Sequence, residues 1–402
     1  MTTPQGELAE QAVGAFTIAA PLTTQPARPP AFREPDEKWE LPNGFAWVFY
    51  GDGNQGITRP VIMADGFNLG KSDLRWLAEG LDADYPLMTQ LRQRGRDVIL
   101  LGFEERSASI LDNAEAAIVA IRRTLAEQLG DAPLTVGGFS MGGLVTRYAL
   151  ARLEMQRKDH RTRLYFSWDS PHRGATIPVG LQAFSHFIPF ANDFARQMDS
   201  PAARQLLWRH YDPKTKKIGV APERTEFLRK LDEVGGWPRI PRLIALANGR
   251  GDGIGLPDVK PGDVAYELKK LYRGSKFYVQ AQGAGAKSAE LFRLVPPGKQ
   301  EVTTDGFPEL DGAPGGTLHT YRILADTLKD TAGLKHEDIC FVPSVSAVAI
   351  RDIEKQDDLY AKVDDLSPDE SDVDDFICSS TTTAHTAITE ELGSWLLERL
   401  PD

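Results

Sequence analysis

The sequence predicts an α/β fold with a doubly wound, mostly parallel sheet, on three observations. Short apolar segments without alternation, such as Asp97–Phe103, are typical of strands buried on both faces. These segments alternate along the chain with segments in which apolar residues recur at helical spacing. The segment Thr135–Val145 is an apolar strand that runs into Gly-x-Ser-x-Gly and then into a helical pattern, which is the layout of a nucleophile elbow.

The predicted elements follow one another in a regular order. Strands are predicted at Phe45–Tyr50, Pro60–Ala64, Asp97–Phe103, directly before Ser140, Arg163–Trp168 and Arg242–Ala247. Helices are predicted over Leu74–Leu91, from an Asp112 cap to Gly130, directly after Ser140, and over Thr389–Leu400. A hairpin of Lys276–Val279 with Glu290–Val295 and an apolar β-rich segment, Cys340–Val348, complete the later part of the chain.

The predicted organisation has four parts. Residues 1–35 form an extended arm, because Gln25–Pro35 contains four prolines. Residues 36–177 are the first part of the sheet core, with the elbow, and residues 238–402 are its second part. Residues 178–237 interrupt the core with aromatic side chains at helical spacing. We interpret this insertion as a helical cap or lid over an apolar acyl pocket; a plain helical pair with aromatic core residues has the same pattern.

Composition narrows the possible functions. A net charge of −11 provides no basic surface for nucleic acid. No apolar run reaches about 18 residues, so no transmembrane helix is expected. No basic region precedes Ala12–Leu22, which favours a cytoplasmic protein, although a secreted form without its signal has the same appearance.

The two cysteines do not form a disulfide framework or a metal motif. The seven carboxylates of Asp364–Asp375 indicate a solvated loop, with calcium binding as the alternative.

The elbow assigns Ser140 as a candidate nucleophile. Gly138 and Gly142 remove side chains on either side of a tight, strained turn. The following helix directs its free N–H groups toward the site, so the Met141 amide is a candidate oxyanion donor. The loop Asp65–Asn68 follows an early strand, where a second donor is expected, and Phe67 N–H is the candidate.

A serine nucleophile requires a base, and the chain has seven histidines. In this architecture the order is nucleophile, acid, histidine. His385 fits because it lies in a loop just before the last helix. His172 follows the serine too closely, and His336 precedes the late β-rich segment.

The carboxylate that orients the base remains open between two residues. Asp252 follows a strand in a glycine-rich loop, the usual place for the acid, but Asp-Gly is also ordinary turn chemistry. Asp169 ends the strand directly after the elbow helix, where it is either the acid or a local turn cap before Pro171. Asp338 is a third candidate. Chain order alone does not separate Asp252 from Asp169.

The segment Gly138–Tyr148 resembles the elbow of lipases and esterases of the α/β-hydrolase superfamily. Ser170–Ala175 is similar to the Thr-Pro-His-x-Gly segment that leads into the lid of many bacterial lipases. The resemblance covers about Pro60–Thr176 and resumes near His385. The sequence differs from the family pattern at two positions: Asp65 stands where lipases usually have a histidine, and Asp169 stands where many relatives have a neutral residue. The resemblance implies a Ser-His-Asp triad, an oxyanion hole and an ester or related acyl substrate.

The sequence therefore predicts an esterase-like or lipase-like serine hydrolase of small-molecule carboxylic esters with an apolar acyl group, which needs no cofactor. One alternative is another acyl transfer on the same triad, as in a thioesterase, an acyltransferase or macrocyclising enzyme, or an amidase. The other is a hydrolase fold used only for binding. The sequence does not indicate the alcohol, the acyl length, the oligomeric state or the mobility of the lid.

Overall fold

The structure is a computed structural model that describes residues 32–402. The predicted N-terminal arm, residues 1–35, lies outside the described residues except for its last four positions.

The described chain contains sixteen strands and twelve α-helices. The strands are β1 (Glu37–Leu41), β2 (Gly44–Phe49), β3 (Pro60–Ala64), β4 (Asp97–Phe103), β5 (Leu134–Phe139), β6 (Thr162–Trp168), β7 (His210–Asp212), β8 (Lys217–Gly219), β9 (Arg242–Ala247), β10 (Val264–Glu267), β11 (Lys276–Tyr278), β12 (Ala286–Arg293), β13 (Gly298–Thr304), β14 (Gly315–Leu318), β15 (Ile339–Pro343) and β16 (Asp375–Cys378). The helices are α1 (Leu74–Gly80), α2 (Leu87–Gln93), α3 (Ile110–Glu127), α4 (Met141–Met155), α5 (Val179–Phe187), α6 (Asp193–Asp199), α7 (Pro201–Leu206), α8 (Pro222–Glu233), α9 (Thr320–Thr327), α10 (Ser344–Ala347), α11 (Gln356–Leu359) and α12 (Glu390–Glu398).

The central sheet confirms the predicted fold class. Its eight strands lie in the order β1-β2-β4-β3-β5-β6-β9-β16. The pairs β1–β2 and β2–β4 are antiparallel, and the remaining five pairs are parallel. Every residue of β3, β4 and β5 is buried, because helices cover both faces of the sheet.

Alternation along the strands divides the apolar core between the two faces of the sheet. Ile62 of β3 belongs to a cluster with residues of α3 and α4, such as Ile121 and Leu144. Val61, its neighbour in β3, belongs to a second cluster with residues of α1, α2 and α12, such as Leu392. Successive side chains of one strand therefore pack against different helix layers, as in a doubly wound sheet.

Several element boundaries differ from the sequence prediction. The helix expected over Leu74–Leu91 is two helices, and Pro86 directly precedes the second. Ser109, not Asp112, caps α3 through a hydrogen bond from Leu111 N to Ser109 Oγ. The apolar segment Cys340–Val348 is a strand only to Pro343 and then turns into the short helix α10. The expected hairpin strands pair as predicted, but within a four-stranded sheet, β10-β11-β12-β13.

The segment 178–237 contains α5 to α8 and the small hairpin β7–β8. Helix α5 packs on β12 of the four-stranded sheet, where Gly180 N donates to Ser288 Oγ at 2.9 Å. A Cβ atom at Gly180 would lie 2.5 Å from Ser288 O, so the approach requires glycine. The assignment of this segment as a cap stays a prediction.

Candidate active site

Ser140 lies on a strained turn between β5 and α4. Its backbone has φ 52° and ψ −122°, a region that residues with a side chain rarely adopt. The strain falls on the serine itself, whereas Gly138 and Gly142 are required for space. A Cβ atom at Gly138 would lie 2.5 Å from Gly142 C, and one at Gly142 would lie 2.3 Å from Ala64 O. The motif glycines therefore let the turn pack against helix α4 and the end of β3.

His385 and Asp169 form a buried pair. His385 Nδ1 lies 2.6 Å from Asp169 Oδ2, and the two side chains are 1% and 0% exposed. Because a carboxylate only accepts hydrogen bonds, Nδ1 carries the proton and the lone pair lies on Nε2. His385 Nε2 is buried and has no hydrogen-bond partner among residues 32–402. The imidazole is therefore oriented at one nitrogen and free at the other.

Asp169 is held at the carboxyl end of β6 by its neighbours. Its backbone is in the left-handed region, with φ 47°, and its amide donates to Leu246 O at 2.7 Å. Its second carboxylate oxygen, Oδ1, accepts a hydrogen bond from Asn248 N at 3.0 Å. A Cβ atom at Gly316 would lie 2.0 Å from Asp169 Oδ2, so only glycine leaves room for the carboxylate there.

Asn248 connects the loop of the acid to the loop of the histidine. Besides the bond from its amide to Asp169, its side-chain Nδ2 donates to Thr383 Oγ1 at 2.8 Å and to Ala387 O at 2.9 Å. The loop that carries His385 is also fixed by a hydrogen bond from His385 N to Thr317 O, at 2.8 Å. Asn248 was not among the site residues predicted from the sequence. Its signal was its position directly after β9, at a carboxyl end of the parallel sheet.

The other two candidate acids lie in different surroundings. Asp252 pairs with Arg250, and its Oδ1 accepts from Ile254 N at 3.0 Å. The Arg250 guanidinium lowers the pKa of Asp252, whose side chain is 35% exposed. Asp338 bonds to His319 Nδ1 at a partly exposed position. Of the three candidates, Asp169 is the one that contacts His385.

His172 occupies a buried structural network beside the elbow helix. Its Nε2 lies 2.9 Å from Ser167 Oγ, and its Nδ1 lies 3.2 Å from Arg147 Nη1. Burial and the neighbouring Arg147 guanidinium lower the pKa of His172 well below its ordinary value. Both ring nitrogens are therefore engaged, and the imidazole stays neutral.

The loop after β3 lies against the start of the elbow helix. A Cβ atom at Gly142 would lie 2.5 Å from Asp65 O, which shows how closely the two backbones approach. Gly66 N donates to Asp65 Oδ1 at 2.8 Å, but the amides of Phe67 and Met141 donate to no atom of residues 32–402. Burial raises the pKa of Asp65. This aspartate stands where the lipases that the sequence resembles usually have a histidine. Two unused amides therefore flank the turn that carries Ser140.

A small apolar cavity lies beside the loop of Phe67. Its volume is about 10 Å³, and its lining is formed by Phe67, Ile177, Met198, Ala203, Leu206, Leu207 and Phe341. The ring of Phe341 also packs edge-on against His385, with the ring centroids 4.8 Å apart. The cavity is therefore adjacent to the histidine through Phe341, and helices α6 and α7 contribute Met198, Ala203 and Leu206 to its lining.

The acidic segment Asp364–Asp375 binds neighbouring parts of the chain. Asp374 accepts from Leu243 N at 2.7 Å, Asp375 pairs with Arg242 and Arg399, and Asp372 pairs with Arg173. Among residues 32–402, no group of three or more His, Cys, Asp or Glu side chains is arranged to hold a metal ion. Cys340 and Cys378 are both buried free thiols.

No protein-family model and no curated protein matches the sequence. Solved structures to which this chain is similar include the mature form of the Bacillus licheniformis lipase BlEst2, with 16% identity, a TM-score of 0.32, and coverage of 51% of this chain and 72% of that one. The carboxylesterase EstE1 from a metagenomic library has 11% identity and a TM-score of 0.34, covering 60% and 74%. A Pyrobaculum calidifontis esterase has 12% identity and a TM-score of 0.34, covering 60% and 72%.

The sheet order and the turn at Ser140 show an α/β fold with a mostly parallel central sheet. Within residues 32–402, none of the helices has the length and apolar character needed to cross a membrane.

Proposed function

We propose that this chain is a serine hydrolase that cleaves carboxylic esters with an apolar acyl group, through an acyl-enzyme on Ser140. The observation that carries the proposal is the buried pair of His385 and Asp169. His385 Nδ1 lies 2.6 Å from Asp169 Oδ2, which leaves His385 Nε2 free of hydrogen bonds within residues 32–402. A histidine oriented in this way is a general base for a hydroxyl nucleophile. The strained turn at Ser140 supplies the nucleophile.

The first half-reaction forms the acyl-enzyme. Ser140 Oγ attacks the ester carbonyl carbon and transfers its proton to His385 Nε2, while Asp169 stabilises the imidazolium through Nδ1–H. The carbonyl oxygen gains negative charge and accepts hydrogen bonds from the amides of Met141 and Phe67. The bond between the carbonyl carbon and the alcohol oxygen then breaks, and His385 returns the proton to the leaving alcohol.

The second half-reaction releases the acid. Water attacks the acyl carbon and transfers a proton to His385 Nε2, and the tetrahedral intermediate collapses with cleavage of the bond to Ser140 Oγ. His385 returns the proton to Ser140, so the enzyme is regenerated. Asp169 accepts the same hydrogen bond throughout and is not consumed.

The apolar cavity supports an apolar acyl group and the assignment of segment 178–237 as a lid. A cavity of about 10 Å³ has room for about one water molecule at most, whereas ligand pockets enclose about 300–1,000 Å³. Acyl binding therefore requires the side chains of α6 and α7 to move away from Phe67 and Phe341. Because only apolar side chains line the cavity, the opened space would favour a hydrocarbon chain.

Hydrolysis of p-nitrophenyl butyrate tests the proposal. We expect Ser140→Ala to lower kcat/KM at least about a thousandfold, because the covalent step loses its nucleophile. Thermal unfolding should stay near that of the wild type. Ser170→Ala is the matched control, because Ser170 Oγ is a nearby buried hydroxyl without a hydrogen-bond partner in residues 32–402.

Parallel assays with a thioester and an anilide of the same acyl group compare the substrate classes. The ester should be turned over fastest. Unchanged ester turnover by Ser140→Ala would reject the proposed nucleophile, and a faster thioester or anilide would reject the ester assignment.

A further inference from the structure

The turn between β12 and β13 exposes two adjacent large apolar side chains. Leu294 is 87% exposed and Val295 is 84% exposed, and no other large apolar side chain of residues 32–402 exceeds 59%. Both lie in the short connection between Arg293 and Gly298. Two adjacent apolar side chains that protrude from a hairpin gain free energy when another surface covers them. We call Leu294 and Val295 the hairpin tip.

An open groove of about 780 Å³ lies beside the hairpin tip. Its apolar lining includes Phe190, Leu271, Tyr272 and Phe292. The groove is thus continuous with the tip, because Leu294 and Val295 also line it. The tip and the groove together form one amphipathic surface on the four-stranded sheet.

This surface carries more cations than carboxylates. The cations along it are Lys270, Arg273, Lys276, Arg293 and Lys299, whose Nζ lies 5.3 Å from the Phe292 ring centroid. None of these five makes an ion pair with a carboxylate of residues 32–402. The two lining carboxylates are each paired, Glu267 with Lys269 at 2.7 Å and Glu290 with Lys287 at 2.6 Å. These five cations form a positive surface on a chain whose net charge is −11.

We propose that the hairpin tip and its groove dock on an anionic lipid bilayer. Leu294 and Val295 enter the headgroup region, and the long lysine and arginine side chains reach the lipid phosphates while their stems cover apolar surface. A lipid surface fits better than a protein partner, because three of the five cations are lysines, which are depleted in protein interfaces. The proposal is independent of the chemistry at Ser140.

Docking at this surface would bring the predicted cap to the bilayer. Helix α5 packs on β12 through the bond from Gly180 N to Ser288 Oγ, and Arg293 Nη1 donates to Phe187 O at the end of the same helix. The lipid surface would therefore lie beside the first helix of segment 178–237.

Co-sedimentation with vesicles tests the proposal. The probes are vesicles of phosphatidylcholine with about 30 mol % phosphatidylglycerol, and vesicles of phosphatidylcholine alone. We expect the wild type to bind only the anionic vesicles and to be released by about 0.5 M sodium chloride, which screens the charges. The double variants Leu294→Ser/Val295→Ser and Lys270→Glu/Arg273→Glu should each lower the partition coefficient at least about tenfold.

Two matched variants control for general loss of apolar surface or positive charge. Leu129→Ser/Ile240→Ser changes two other exposed apolar residues, each 59% exposed, and Arg157→Glu/Lys158→Glu changes two exposed cations after α4. Both should bind as the wild type does.

Hydrolysis of a water-soluble ester should be equal in the wild type and all four double variants, so a failure of docking is distinguishable from a failure of the proposed catalysis. A wild type that does not bind anionic vesicles, or tip and charge variants that bind like the wild type, would overturn the proposal.

Discussion

At the scale of single residues, loop contacts determine which carboxylate lies beside His385. Asp169 and Asp252 both follow strands of the parallel sheet, β6 and β9, which are neighbours. Parallel strands deliver their ends to the same edge, so both aspartates were reasonable acids from chain order. Local contacts separate them: Asp252 folds back on Arg250, and Asp169 faces His385. These contacts depend on loop paths that sequence periodicity does not encode.

Substitution of the two aspartates by asparagine tests the proposed role of Asp169. We expect Asp169→Asn to lower kcat/KM for a soluble ester by about a thousandfold to ten-thousandfold, because the amide no longer fixes the Nδ1–H tautomer of His385. Asp252→Asn should stay within about threefold of the wild type, because it removes only a partly exposed ion pair. Steady-state kinetics measure both variants, and the opposite ranking would assign the acid to Asp252.

At the scale of elements, side chains of helices α6 and α7 line the cavity that we propose for the acyl group. Met198→Trp should fill the space beside Phe67 and lower kcat/KM for p-nitrophenyl octanoate at least about tenfold more than for the acetate. Met155→Trp is the matched control, because Met155 is 54% exposed at the end of α4. The measurement is the ratio of the two kcat/KM values in each variant. Equal losses for both esters would show that this cavity does not receive the acyl chain.

Elements buried on both faces were the most predictable from sequence. The bounds of β3, β4 and β9 agree with the predicted strands, because a parallel strand leaves an uninterrupted apolar signal. Strand β16 was missed because it begins with Asp375, within an acidic segment, and only two of its four residues are strongly apolar. The four-stranded sheet was reduced to a hairpin, since β10 has only four residues and β13 is partly exposed and rich in polar residues.

At the scale of the whole molecule, a buried carboxyl makes stability depend on pH. Asp311 is 4% exposed, and its Oδ2 accepts one hydrogen bond, from Gln280 N at 2.9 Å. Burial raises the pKa of Asp311 from 3.8 to about 7. Between these values the folded state keeps a proton that the unfolded state has lost. The stabilisation of the folded state by protonated Asp311 is therefore fully present below pH 3.8 and is lost as the pH rises through about 7.

Urea unfolding from pH 4 to 8 tests this prediction. The free energy of unfolding of the wild type should fall relative to Asp311→Asn by up to about 1.4 kcal/mol per pH unit within that window. Asp263→Asn, at an exposed position, should follow the wild type. A constant difference between wild type and Asp311→Asn across the window would contradict a raised pKa in the folded state.

The most direct test of the proposed catalysis is the intact mass of the whole protein after treatment with a fluorophosphonate. The phosphorus atom is attacked by an activated serine, so one adduct forms when the nucleophile and its base are both in place. We expect one adduct on the wild type, none on Ser140→Ala, and labelling slowed at least about a hundredfold in His385→Ala. An unlabelled wild type, or an adduct that persists in Ser140→Ala, would contradict the assignment of Ser140 as the nucleophile.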